Sequence, residues 1–136
     1  MGAWDIGHFD NDTAADFSGD LDDAPPDKRA ELVRDALTAV VGTTAYLDSD
    51  EAVVAVAAAA LVAAQCPGGE PVTTVYGPDE PLPELPVELR GLAVQALDRV
   101  MAEPSELVEL WSESGHGAPW AEGVGRLRAV LAETVG

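Results

Sequence analysis

Six polar residues within one short opening stretch, Asp5, His8, Asp10, Asn11, Asp12 and Asp16, carry the richest chemical potential of the chain. Carboxylates beside an imidazole can hold a divalent cation or move protons. A metal-dependent hydrolase built on His8 and these aspartates is therefore one reading. The spacing does not fit a calcium loop. After Asp10 and Asp12 the third oxygen ligand would fall on Ala14, and no glycine or distal glutamate stands in register. Helix capping accounts for Asp10, Asn11 and Asp12 without any ligand, because their side-chain oxygens accept the orphan N–H groups of a helix start. Capping is the preferred reading.

Elsewhere the signatures of catalysis are missing. The chain has no G-x-S-x-G elbow, no P-loop, no H-E-x-x-H and no C-x-x-C. Cys66 is the one cysteine and has no basic neighbour in sequence to lower its pKa, which favours a structural thiol over a nucleophile. It cannot close an internal disulfide, which fits a reducing, cytoplasmic setting. His8 and His116 are the two histidines, too few for an ordinary structural zinc site. The sequence implies no cofactor and leans away from an enzyme. Trp4, Trp111 and Trp120 read better as indoles packed near helix ends than as the lining of a ligand cleft.

The charge narrows the partners. The chain carries 25 acidic against 7 basic residues, a formal net charge of −18. No Lys or Arg precedes Lys28, and none lies between Arg34 and Arg90. Such a surface repels phosphate backbones and anionic lipid, so nucleic acid and membranes are excluded as partners. It can attract another protein, and a basic one fits best; the plainer alternative is that acidity only maintains solubility.

The elements that must carry these residues read as helices throughout. The N-terminal stretch before Asp10 alternates glycines with Trp4, Ile6 and Phe9, an irregular lead-in. A short helix follows from about Asp12 to Leu21, with Ala14, Phe17 and Leu21 at helical spacing. A second starts near Pro26, with Asp27 at the positive end of its dipole and Gly42 as its stop. Leu32, Val33, Ala36, Leu37, Val40 and Val41 form its apolar stripe. Asp48 with Glu51 resembles a capping box opening a third helix. The body of that helix, Ala52 to Ala64, is apolar on every face and belongs at the centre. It is too short to cross a bilayer, which takes about 20 residues.

Four prolines, Pro71, Pro78, Pro81 and Pro83, mark a surface loop between Glu70 and Leu85. Within it Val72 to Tyr76 could be extended, with the Ala3 to Phe9 segment as its available partner. A fourth helix follows from about Pro86 to Glu103, then a fifth capped by Ser105, and a sixth opened by Pro119. Glu122 and Arg126 in the last are spaced for an i,i+4 ion pair. The expectation is one all-α domain over residues 1–136, a bundle of five or six helices around an Ala/Val-rich centre.

The opening residues resemble a bacterial family catalogued as domain of unknown function 4259. The family's Trp, second Gly, Phe and Asn-Asp pair correspond to Trp4, Gly7, Phe9, Asn11 and Asp12, followed by Ala14 and Asp16. A later run from Ser105 to Trp111 resembles a second patch of such proteins. Asp5 departs from the pattern, since the family tends to have glycine there. The resemblance implies a small helical domain and brings no activity with it.

Physically, the motif is a clamp that anchors itself through Trp4 and Phe9 and caps a helix with Asn11 and Asp12. The same residues, Trp4, His8, Phe9, Asp10, Asn11 and Asp12, are the candidate binding set should they form the mouth of a groove. The leading functional reading is a non-catalytic acidic module that binds another protein in an inhibitor- or immunity-like role. The metal-dependent hydrolase is its rival, and a homo-oligomer paired through apolar faces is a third.

Overall fold

Alanine and valine have little to fill space with, so a helix made of them must be approached closely from all sides to lose its water. That is the arrangement found. The computed structural model describes residues 12–43, 45–65, 87–102, 105–114 and 117–134, which form six helices. These are α1 (Asp12–Asp23), α2 (Pro26–Val41), α3 (Ser49–Ala64), α4 (Glu88–Met101), α5 (Glu106–Ser114) and α6 (Gly117–Thr134). The protein is an all-α bundle, as the periodicity predicts.

α3 is the hub, packed against each of the other five helices. Ala52, Val53 and the whole run from Ala55 to Ala63 are buried, and only Val54 and the terminal Ala64 are half-exposed within that body. Small side chains allow interaxial distances near the low end of the usual 8–10 Å. The surrounding helices supply the bulk that α3 lacks. Leu37 and Val40 of α2, Leu89 and Leu97 of α4, and Leu131 of α6 are all fully or almost fully buried. Leu92 of α4 is half-buried at the margin.

Helix ends differ in detail from expectation. α2 stops before Gly42 as predicted, but Gly42 has φ −79° and ψ −9°, a right-handed conformation open to any residue. Backbone N–H groups of Gly42 and Thr43 close this end on the Thr38 and Val40 carbonyls, at 3.0 and 3.1 Å, and Thr43 Oγ1 adds a bond to the Ala39 carbonyl at 2.7 Å. Asp48 does stand at the N-cap of α3 in an extended conformation, yet its side chain makes no capping hydrogen bond. The capping box is not formed. Asp48 is exposed, where a carboxylate keeps its hydration and gains little by turning inward.

Ser105 likewise precedes α5 without capping it. Its Oγ is fully buried and has no hydrogen-bond partner among the described residues. The Glu106 N–H goes instead to the Leu47 carbonyl at 2.9 Å, part of an isolated parallel bridge between Leu47 and Ser105. α4 is shorter than predicted, ending where Ala102 turns extended at φ −92° and ψ 134°. α6 begins two residues before Pro119. The Val72–Tyr76 stretch, its pairing with residues 3–9, and Cys66 lie outside the described residues. No helix among the described residues is long and apolar enough to cross a membrane.

Candidate functional site

α1 is an intrinsically poor helix, with Ser18 and Gly19 at its middle and carboxylates along its length. Its apolar side decides its place: Phe17 and Leu21, four residues apart, are buried, and the helix docks on α3. The adjoining flank then faces solvent, and it exposes Asp16, Asp20 and Asp23. Positions 16, 20 and 23 recur at helical spacing, so the three carboxylates line one ridge. None of them has an ion-pair partner among the described residues.

The far end of this helix is held by a cation. Arg29, on α2 and only 7% exposed, donates through Nε to the carbonyls of Leu21 at 2.8 Å and Ala24 at 3.1 Å. Its Nη2 reaches the Asp22 carbonyl at 3.4 Å. These carbonyls lie at and just past the C-terminus of α1, where the dipole is negative; the Leu21 carbonyl also accepts the Ala24 N–H at 3.2 Å. A guanidinium donates to the carbonyls and offsets the dipole at once.

Arg99 plays the same part at the other side of the bundle. It bonds the carbonyls of Thr43 at 2.7 Å, Ala45 at 2.6 Å and Ala102 at 2.9 Å. One side chain thereby ties the connection between α2 and α3 to the C-terminus of α4. Three further cations form ion pairs: Lys28 with Glu31 at 3.4 Å, Arg34 with Glu88 at 2.9 Å and Arg128 with Asp98 at 2.6 Å. Arg128 reaches across from α6 to α4, in place of the pair expected between Glu122 and Arg126, which is not among the ion pairs of the described residues. Five of the chain's 7 bases therefore neutralise local structure. Among the described residues, none of these pairs reaches the ridge of Asp16, Asp20 and Asp23.

A second acidic surface lies where the α2–α3 connection meets α5. Leu47 is buried and its carbonyl is fixed by the Glu106 N–H, while the neighbouring Tyr46 is 46% exposed. The phenol donates to Glu109 Oε1 at 3.0 Å. Loss of surrounding water, that hydrogen bond, and the negative charges of Glu109, Glu106 and Asp48 raise its pKa from 10.0 to about 12. A proton is thus held where negative charge gathers, and the ring stays at the surface.

Of the candidate binding set, Asp12 opens α1, so the acidic segment runs without a break into the ridge. Trp4, His8, Phe9, Asp10 and Asn11 lie outside the described residues, as do Asp5 and His116, and of the side chains of Trp111 and Trp120 nothing is described. Among the described residues no group of three or more His, Cys, Asp or Glu is placed to hold a metal ion. Sequence reasoning missed Arg29, Arg99 and Tyr46. The signal for the arginines was their scarcity: in a chain this acidic, each retained cation invites the question of what it neutralises.

The family model for domain of unknown function 4259 matches residues 2–123. The chain belongs to that family. The match covers the opening motif and five of the six helices in full, as the resemblance at Trp4, Gly7, Phe9, Asn11 and Asp12 implies. No curated protein and no solved structure matches this family member.

Proposed function

We propose that this member of the family is a single-domain, non-catalytic acidic module that binds a basic protein in the cytoplasm, in an inhibitor- or immunity-like role. The observation that carries this reading is the use made of the cations. Arg29 and Arg99 are turned onto backbone carbonyls, and Lys28, Arg34 and Arg128 onto carboxylates. The ridge of Asp16, Asp20 and Asp23 is exposed with no ion-pair partner among the described residues, and such a face speeds the encounter with a positive partner, an effect that weakens as salt rises. The segment with Trp4, His8, Phe9, Asp10, Asn11 and Asp12 precedes it in the sequence and carries aromatic residues of the kind that interfaces favour.

Self-association is less favoured. The exposed large apolar side chains among the described residues are Tyr46, Val87 and Met101. Val87 and Met101 stand at opposite ends of α4, about 20 Å apart at 1.5 Å per residue, so they do not form one patch.

The test is affinity capture from the native host with mass spectrometry, comparing the parent with an Asp16→Asn, Asp20→Asn, Asp23→Asn triple variant of unchanged helical content. The parent should retain a basic protein that the variant releases at lower salt. Equal retention by both would remove the ridge from the interface. The rival hydrolase would instead show itself in thermal melts, as a saturable stabilisation by zinc, manganese or calcium that disappears in His8→Ala.

A further inference from the structure

We draw no further inference here: the strongest candidate, the exposed Tyr46 ring with Asp48, Glu106 and Glu109 where the α2–α3 connection meets α5, is an acidic cluster with no second observation that points to a ligand, and nothing in the structure shows what covers it.

Discussion

α1 and α3 are two helices in contact whose sequences do opposite work. α3 has no charge from Ala52 onward and is surrounded by the other five helices. α1 anchors itself with Phe17 and Leu21 and keeps Asp16, Asp20 and Asp23 in water. A substitution that adds charge to α3 must be desolvated, whereas one that removes charge from α1 only relaxes repulsion among neighbours. The centre of the fold is thus a helix enclosed by its neighbours, and the solvent-facing charge lies on one that contributes two large anchors to the core.

The sharpest break in this comparison is Ala58→Asp. Ala58 is fully buried, and an unpaired carboxylate there would cost at least several kcal/mol against a typical total of about 5–15 kcal/mol. Circular dichroism should show the domain unfolded or melting far below the parent. A melting point within a few degrees of the parent would remove α3 from the centre.

Arg99→Ala comes next. It leaves the Thr43, Ala45 and Ala102 carbonyls without their cationic donor, and hydrogen bonds to charged groups contribute about 1.5–3 kcal/mol each before water replaces part of the loss. Denaturant unfolding should show a loss of about 2–3 kcal/mol, given that exposed carbonyls rehydrate. Arg99→Lys should recover only part of it, because an ammonium cannot span the same fork. Full rescue by lysine would mean that charge alone, not the guanidinium geometry, closes this end.

Tyr46→Phe has a smaller effect with a pH signature. The folded pKa, about 12, lies above the unfolded value of 10.0, so the folded state holds the phenol proton more tightly. The stability contributed by this group is complete below pH 10 and is lost as pH rises from 10 through 12. The melting advantage of the parent over Tyr46→Phe should therefore shrink across that window. A difference that stays constant would show that Glu109, Glu106 and Asp48 do not act on this phenol.

How much of this was legible in the sequence follows from periodicity. The buried stripe of α2 and the all-round apolar body of α3 repeat at helical spacing, and that pattern survives in the structure because core packing enforces it. Helix ends were less legible. Asp48 and Ser105 have the right residue types to cap, but Ser105 is buried against Leu47, whose carbonyl takes the Glu106 N–H. That contact joins residues far apart in the chain, and no local pattern announces it. Arg29 and Arg99 were hidden for the same reason, since a side chain that closes another helix has no signature in its own neighbourhood. The acidic ridge was half visible: the aspartates of α1 were plain, while the lack of an ion-pair partner for Asp16, Asp20 and Asp23 among the described residues depended on where the cations went.

The central claim, that the Asp16, Asp20 and Asp23 carboxylates face solvent and do not hold the fold, is tested most directly by the thermal melt of the Asp16→Asn, Asp20→Asn, Asp23→Asn variant at low ionic strength. With no ion pair among the described residues to lose and mutual repulsion relieved, the variant should melt at or slightly above the parent, and the difference should fade as salt screens the charges. A melting point several degrees below the parent would show that these carboxylates hold the fold, and would contradict the account.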